Sequence, residues 1–373
     1  MSTVFIRHAA YDEQIIRPLV FEMLASAQAP TIEAGTRVLI KPNFLAPAPP
    51  DRAVTTHPLL VRATAEFALE RGARVQISDS PAMGSFARLL KVGGYAEALA
   101  GLDVILKPFE ETTPVNVGDP FGVIDLAADA MQADVVLNLA KLKTHTQMML
   151  TLGVKNLFGC VVGLKKPEWH LRAGVDRAMF ARLIVGICEA VNPVYTIVDG
   201  ILGMHGQGPG KSGTPRDMGL LIGGARAHAV DHAICQLLGV APERLQTLAG
   251  AREMGRFDGS VHIDGNVPVQ DGFQIPELGP VTSGPAYLDR FMRRFVIQRP
   301  VVADRACKRC GECWTICPAG AIDHTEQGIR FDTERCIRCY CCLEVCPHAA
   351  IQAQKPVAGQ LVDWLQRKRL LRS

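Results

Sequence analysis

Short apolar runs alternate with amphipathic stretches from the start of the chain to about Val240. The runs are rich in β-branched residues and predict strands. They are Arg37–Lys41, Arg74–Ser78, Asp103–Leu106, Ala133–Leu139, Tyr195–Val198 and Gly219–Ile222. Stretches such as His57–Arg71 and Asp176–Val191 repeat apolar residues at the helical period and are long enough for crossover helices. This alternation predicts an α/β fold with a mainly parallel sheet flanked by helices.

The pattern is less regular beyond Val240, with a hairpin-like segment at 258–270 and then a basic stretch. The stretch contains Arg290, Arg293, Arg294 and Arg299. We interpret it as a linker beginning at about residue 285, with a docking surface for an acidic partner as the alternative to a solvated helix face. The predicted units are a large α/β domain at 1–300, a small α+β dicluster ferredoxin-like domain at 301–352 and a basic amphipathic helix at 353–373.

The segment 301–352 contains nine of the twelve cysteines, in two runs with the spacing C-x2-C-x2-C-x3-C-P. The runs are Cys307, Cys310, Cys313 and Cys317, and Cys336, Cys339, Cys342 and Cys346, each followed by proline. In two-cluster ferredoxins the fourth cysteine of each run binds the other cluster. The spacing therefore predicts two [4Fe–4S] clusters, with Cys346 joining the first three cysteines and Cys317 joining the second three.

Zinc is the alternative for paired CxxC units, but a zinc site needs four ligands and not two interlocked sets with proline in register. Cys341 breaks the period, so we interpret it as a packing residue, with exchange of ligands as the alternative. Cys160, Cys188 and Cys235 lie in apolar surroundings and are expected to be small buried side chains.

Composition and charge narrow the classes of partner. The chain carries 40 basic and 37 acidic residues, so its net charge of +3 gives no support for binding nucleic acid. No run reaches the ~18–20 apolar residues that cross a bilayer, and Met1–Ala10 lacks the features of a secretory signal. We expect a cytoplasmic protein with a redox partner protein.

Ligands of open parallel sheets bind outside the carboxyl ends of the strands, where the strand order reverses. The segment Leu139–Gly163, which follows one such strand, sets lysines and a histidine among apolar residues, where an unpaired charge is costly. The side chains are either paired in the core or bind an anionic substrate, with His145 as general acid–base. We predict catalytic roles for His145, Lys141, Lys143, Lys155 and Asp199, and binding roles for Lys41, Asn43, Asn156, Gly208 and Gly210.

The two glycines belong to the loop Gly203–Gly213, which nearly matches a phosphate-binding loop and a dinucleotide fingerprint. His205 stands where the phosphate-binding motif requires its first glycine, and a strand follows the loop where both motifs require a helix. We therefore expect a loop that covers the substrate and offers backbone N–H groups and Lys211 to an anion.

Several motifs resemble one family. They are IKPN at 40–43, LAKLKTH at 139–145, VKNLFG at 154–159, VDGILGMHGQGP at 198–209 and AVDHAICQLLG at 229–239. In sequence and order they are similar to the domain of unknown function 362, which is often joined to a ferredoxin module. The chain departs from the family at His205 and at Gly224-Ala225-Arg226, where acidic residues are common.

The resemblance implies the two-part architecture but no activity. Our first hypothesis is an iron–sulfur oxidoreductase that passes single electrons to a substrate or cofactor at the lysine- and histidine-lined rim. The alternatives are a non-enzymatic electron carrier or assembly subunit whose α/β domain binds a partner protein, and a structural role for the clusters.

Overall fold

The structure is a computed structural model that describes residues 1–26, 32–163, 165–174, 176–276, 278, 286–326, 328–361 and 364. Its strands are β1 (Ser2–His8), β2 (Arg37–Pro42), β3 (Arg74–Ile77), β4 (Val104–Leu106), β5 (Thr112–Asn116), β6 (Val123–Ala127), β7 (Val135–His145), β8 (Met149–Leu150), β9 (Tyr195–Gly206), β10 (Gly213–Gly224), β11 (Val261–Asp264), β12 (Arg299–Val302), β13 (Ile322–Thr325), β14 (Gly328–Phe331) and β15 (Ile351–Gln354). Its α-helices are α1 (Glu13–Ala25), α2 (Pro58–Leu69), α3 (Phe86–Val92), α4 (Tyr95–Ala98), α5 (Ala128–Gln132), α6 (Gly153–Asn156), α7 (Lys165–Ala173), α8 (Arg177–Val191), α9 (Ala227–Leu237), α10 (Gln246–Glu253), α11 (Ala286–Phe295), α12 (Glu312–Thr315) and α13 (Cys341–Val345).

The large domain is built on one sheet with the strand order β11-β1-β10-β9-β7-β2-β3-β4, and β8 pairs with β7. The neighbours β9, β7, β2, β3 and β4 are parallel, whereas β10 is antiparallel to both β1 and β9. The predicted α/β fold with a mainly parallel sheet is confirmed. The chain moves outward from β2 to β4 and then returns to β7 on the other side of β2, so the strand order reverses between β2 and β7.

Both faces of the sheet are covered by helices. Successive side chains of a strand point to opposite faces, so neighbouring residues join different apolar clusters. In β2, Val38 and Ile40 join the apolar cluster that includes residues of α1 and α2. Leu39, between them, joins the cluster that includes residues of α8 and α9. The buried parallel strands therefore read as continuous apolar runs.

Three strands are longer than the sequence predicts. β7 continues beyond Leu139 to His145, and all its residues are buried. β9 and β10 extend into a long antiparallel hairpin, so the predicted glycine-rich loop is the turn of this hairpin. The predicted hairpin at 258–270 is wrong, because β11 is a single strand that pairs in parallel with β1. The pattern also missed β1 and the β5–β6 hairpin.

The cysteine-rich module contains two small antiparallel pairs, β12 with β15 and β13 with β14, and the short helices α12 and α13. Ile322, Ile329, Leu343 and Ile351 lie in its core. The basic stretch packs on this module, because the guanidinium of Arg293 donates to the carbonyl of Cys336 at 2.7 Å. It therefore contributes to the packing of the module as well as linking the two domains.

The end of the chain is described only in part. The predicted helix at 353–373 begins later than expected, because Ala353 and Gln354 belong to β15. Residues 357–361 and Trp364 are helical, and 362, 363 and 365–373 lie outside the described residues. Among the helices of the described ranges, each is too short or too polar to cross a membrane.

Candidate functional site

A cavity of about 230 Å³ lies where the large domain meets the cysteine-rich module. The large domain supplies the carboxyl ends of β2, β3 and β7 and residues of α6 and α7, while the module supplies α13. The sequence-predicted residues that line it are Asn43, Lys143, His145, Lys155 and Asn156. The reversal point of the sheet therefore forms one wall of the cavity, as the rule for parallel sheets predicts.

Lys41 pairs with Asp79 beside this wall. Its ammonium lies 2.9 Å from a carboxylate oxygen of Asp79, and both side chains are buried. Asp79 also accepts the backbone N–H groups of Phe44 and Ser80 at 2.8 and 2.9 Å. A Cβ atom at Gly159 would overlap both members of the pair, so glycine is required there. Asp79 neutralises Lys41, which leaves this lysine little capacity for a ligand.

Lys141 and Asp199 form a second buried pair, away from the cavity. Their side chains meet at 2.8 Å, and the hydroxyl of Tyr11 lies within 2.9 Å of both. The backbone N–H of His57 donates to Asp199 at 2.8 Å. The two residues predicted to be catalytic are thus saturated by protein groups and do not line the cavity. Their geometry is that of a structural pair, which was the alternative interpretation of the sequence.

Lys143 is held at the cavity by a chain of amides. Its ammonium donates to Asn43 Oδ1 at 2.7 Å and to the carbonyl of Val54 at 2.6 Å. Asn43 in turn donates to Asn156, and Asn156 donates to Asn138, each at 2.8 Å. Two of the three ammonium hydrogens are used, so one is left for the cavity. Burial lowers the pKa of Lys143 to about 7, so it exchanges a proton near neutral pH.

Two more ammonium groups line the cavity. Within the described part of the chain, the ammonium of Lys155 has no hydrogen-bond or ion-pair partner, although Glu344 and Cys341 are close enough to interact with it electrostatically. Lys166, on α7, donates to the carbonyl of Ser80 at 2.5 Å. Burial lowers the pKa of Lys166 to about 8. Lys166 was not predicted, and the Lys165-Lys166 pair after Gly163 is the signal that could have identified it.

His145 meets Glu344 of α13 across the cavity, with Nε2 and Oε1 3.0 Å apart. Nδ1 of His145 faces the backbone N–H groups of Gln147 and Met148 at 3.2 and 3.3 Å. The ring hydrogen therefore belongs on Nε2, facing the carboxylate. Burial lowers the pKa of His145 to about 4, so the ring is neutral at pH 7. This arrangement suits an orienting role better than the predicted transfer of protons.

Several buried polar atoms at the cavity lack hydrogen-bond partners among the described residues. They are Thr151 Oγ1, His170 Nδ1, His145 Nε2 and Glu344 Oε1, the last two lying close together at an angle that does not form a hydrogen bond. A buried polar atom without a partner is costly, and a bound ligand would satisfy it. His170 and Thr151 are residues that the sequence did not single out.

The cysteines form the two predicted sets. Cys307, Cys310, Cys313 and Cys346 line one small cavity of the module, and Cys317, Cys336, Cys339 and Cys342 line another. None of the twelve cysteines forms a disulfide. Backbone N–H groups of Ala321 and Ala350 donate to the sulfurs of Cys317 and Cys346, each at 3.3 Å. Four cysteines around each small cavity, one of each four with a backbone N–H donor to its sulfur, are the number of ligands that a [4Fe–4S] cluster requires.

The second set adjoins the interdomain cavity. Cys341 lines both the cavity of this set and the interdomain cavity. The helix α13 thus carries Cys342 of the set and also Glu344 and Val345 of the interdomain wall. By contrast, Cys310 of the first set is exposed to solvent. The first cysteine set therefore reaches the protein surface, whereas the second lies beside the interdomain cavity.

Of the two predicted loop glycines, Gly210 lies at the contact between the domains, whereas Gly208 packs against β7 of the large domain. A Cβ atom at Gly210 would lie 2.6 Å from the backbone oxygen of Glu344, and one at Gly208 would overlap the backbone of Thr144. Gln207 exchanges two hydrogen bonds with the backbone of Ala353, at 2.9 and 3.3 Å. Gly208 and Gly210 do not line the interdomain cavity. The loop that we expect to cover a ligand therefore docks the module, and its residue Pro209 lines the interdomain cavity.

Comparison with known proteins supports the same two-part organisation. Residues 38–236 match the family described as domain of unknown function (DUF362), and residues 299–347 match a 4Fe-4S dicluster domain. The chain is similar to the "Thylakoid-associated protein sll1697" of Synechocystis sp., with 36% identity over 274 residues, which cover 72% of this chain and 85% of the relative.

The solved structure of the lactate racemase apoprotein from Thermoanaerobacterium thermosaccharolyticum matches more weakly. The TM-score is 0.36 with 11% identity, and the match covers 53% of this chain and 50% of that one. The chain thus spans about half the length of this structure, and no functional argument follows from the likeness. The resemblance drawn from the sequence motifs is confirmed by the family match: the chain belongs to the DUF362 family and carries a 4Fe-4S dicluster domain on its C-terminal side.

Proposed function

We propose that the protein is an iron–sulfur oxidoreductase that passes single electrons to a small anionic molecule held in the interdomain cavity. The observation that carries the proposal is the position of α13. This helix supplies Cys342 to one cysteine set and Glu344 to the cavity wall, while Cys341 borders both spaces. Electron donor and acceptor would therefore be separated by one short helix.

The cysteines would hold two [4Fe–4S] clusters in the crossed arrangement, Cys307, Cys310, Cys313 and Cys346 on one and Cys317, Cys336, Cys339 and Cys342 on the other. When bound, the clusters supply electrons one at a time. The exposed Cys310 marks the first set as the side at which a redox partner protein would deliver them.

The cavity wall favours an anion. Lys143, Lys155 and Lys166 line it, whereas its carboxylates are Glu344 and Asp79, and Lys41 already neutralises Asp79. Positive charge is therefore in excess, and a buried charge without a partner is costly. An anionic ligand would neutralise this excess. Lys155 and Lys166 would contact the anionic group, since neither ammonium is paired with a carboxylate in the described ranges.

The same wall can supply protons. Reduction of a carbon–carbon or carbon–oxygen double bond takes up two electrons and two protons. The Lys143 ammonium would donate one proton and recharge near neutrality, because its pKa is about 7, and water would supply the second; the two clusters would supply one electron each. His145, whose Nε2 lies 3.0 Å from Oε1 of Glu344, would help to position this carboxylate through their close contact.

We also propose a cytoplasmic location. Free thiols in this number persist in a reducing compartment, and thiolates without disulfide partners are what cluster assembly needs. The name of the Synechocystis relative associates that protein with thylakoids, and the location proposed for this chain does not rest on it.

The test begins with anaerobic purification and analysis for iron and sulfide, with about eight of each expected for two clusters. Native mass spectrometry then identifies any small anion bound to the protein. The dithionite-reduced protein is mixed with that anion, and reoxidation is followed by EPR. Fast reoxidation that Lys155→Met abolishes, with the cluster signals intact, supports the proposal. Reoxidation that is insensitive to Lys155→Met, or confined to protein acceptors, favours a carrier that merely docks a partner.

A further inference from the structure

The helix α11 exposes aromatic side chains beside the cysteine-rich module. Phe291 is 54% exposed and Phe295 43% exposed, and their rings lie 5.1 Å apart, one helical turn from each other. Large exposed aromatic groups in contact with each other are unusual on the surface of a soluble domain and mark an interaction site. Other residues of this part of the chain pack against the protein. Arg293 of α11 contacts the module, and Ile297, just after the helix, is buried.

A second exposed apolar stripe follows near the end of the described chain. Val357, Leu361 and Trp364 are 82, 56 and 50% exposed, and Val357 and Leu361 lie one turn apart in the helical stretch 357–361. A Cβ atom at Gly359 would overlap the backbone of Val296, directly after α11. The helical turn at Gly359 therefore rests against Val296, the residue that follows α11.

Basic side chains flank the phenylalanines of α11. Arg290 and Arg294 alternate with the two phenylalanines on the exposed side of α11, and the guanidinium of Arg294 lies 5.4 Å from the ring of Phe295. Arg290 has a surface contact with Glu334 at 3.7 Å, with both side chains mostly exposed, so water weakens it. The sequence adds Arg367, Lys368, Arg369 and Arg372 after Trp364.

Exposed Phe and Trp with flanking arginines on short amphipathic helices are the features of segments that lie in the interface of an anionic bilayer. The aromatic rings enter the headgroup region, and the guanidinium groups bind lipid phosphates. We propose that α11, with the exposed side chains of Val357, Leu361 and Trp364, forms a membrane-surface patch that holds the protein on an anionic lipid bilayer without crossing it. This proposal is independent of the redox chemistry, since the patch does not line the cavity.

The test is co-sedimentation of the full chain, purified anaerobically with its clusters, with large vesicles. One set of vesicles contains phosphatidylcholine alone, and the other also contains phosphatidylglycerol. We expect binding to the anionic vesicles that weakens at high salt. The variant Phe291→Ser/Phe295→Ser should bind at least about tenfold more weakly, since each phenylalanine loses its apolar contact with lipid. Arg290→Gln/Arg294→Gln should lose several-fold, and mainly for anionic vesicles.

The control is Ile105→Ser, which removes a side chain that is 57% exposed on β4, and it should bind like the unmodified protein. Iron content and circular dichroism show that each variant is folded. The proposal is overturned if the protein ignores both vesicle types, or if the double phenylalanine variant binds as well as the Ile105→Ser control. The second result would leave the exposed face to a protein partner.

Discussion

Nε2 of His145 and Oε1 of Glu344 lie 3.0 Å apart, although one residue ends a strand of the large domain and the other lies in the cysteine-rich module. The contact fixes the end of β7 against α13. Because β7 borders the reversal point of the sheet and α13 carries Cys342, this pair sets the relation between the cavity and the second cysteine set. Nearby interactions should therefore control how firmly the module docks.

Replacing Glu344 by Gln tests this relation with little change of shape. Lys155 loses a nearby carboxylate, and Nε2 of His145 loses the negative charge that lies 3.0 Å away. We expect the docking of the module to weaken by about 1–3 kcal/mol. Hydrogen exchange at α13 and at the loop 207–212 should become faster. Glu334→Gln, which changes an exposed carboxylate of the same module, is the control, and equal exchange in the two variants would contradict the prediction.

The position of the cavity could be predicted because the geometry of parallel sheets determines where strand ends converge. Asn43, Lys143 and His145 line it as expected. Lys141 was assigned to the same rim, but it pairs with Asp199 instead. The pairing of β7 with β9 shifts register between Lys141 and Lys143, and such a bulge redirects side chains without leaving a signal in the hydrophobic pattern.

Glu344 and His170 could not be predicted for a different reason. Each acquires its role from packing between elements that are distant in sequence: α13 docks on the large domain, and α7 covers the cavity. Local spacing identifies cluster ligands because all but one of each set lie within one short run. It contains no information about which face of the module meets which strand end.

Gly210→Ala tests the docking loop. The added methyl group would lie 2.6 Å from the backbone oxygen of Glu344, which cannot move without shifting α13. We expect a loss of about 1–3 kcal/mol in stability and easier proteolysis between the domains. Gly250→Ala is the matched control, because Gly250 lies in α10 and its Cβ would make only ordinary contacts at 3.6 Å or more. Similar thermal stability in the two variants would show that the loop adapts.

Lys41→Met tests whether the buried pair with Asp79 is structural. It removes the cation and leaves a carboxylate with only 5% side-chain exposure. The expected cost is about 3–5 kcal/mol in the free energy of unfolding. Lys41→Met/Asp79→Asn should recover much of the loss, because the charge is removed as well. Urea denaturation of the anaerobically purified protein measures both variants, and a double variant no more stable than the single one would contradict the prediction.

Cys341→Ser tests whether Cys341 is a cluster ligand or only a residue of the cavity wall. We expect it to retain about eight irons, because four other cysteines complete the second set. Cys342→Ser should reduce the iron content and the EPR signal of one cluster. Metal analysis and EPR of the two variants side by side distinguish the roles. Loss of iron in Cys341→Ser together with full retention in Cys342→Ser would identify Cys341 as the ligand.

Lys166 should make anion binding depend on pH. Burial lowers its pKa to about 8, in a setting where Asp79 raises it and Lys41 and Lys155 lower it, with the Cys160 thiol also close. Below that pH the ammonium is charged and attracts an anion; as the pH rises above it, the proton and the attraction are lost. The affinity for sulfate, whose charge does not change in this range, should therefore fall by up to about tenfold per pH unit above the pKa of Lys166, in addition to the decrease that Lys143 causes near pH 7.

Titration calorimetry with two variants isolates this lysine from Lys143, whose pKa is about 7. Lys166→Arg keeps a positive charge at all accessible pH values and should retain binding in alkaline solution. Lys166→Met should bind weakly throughout and lose the step near pH 8. If Lys166→Met keeps the same pH profile as the unmodified protein, the step belongs to another group, and Lys166 does not contact the anion.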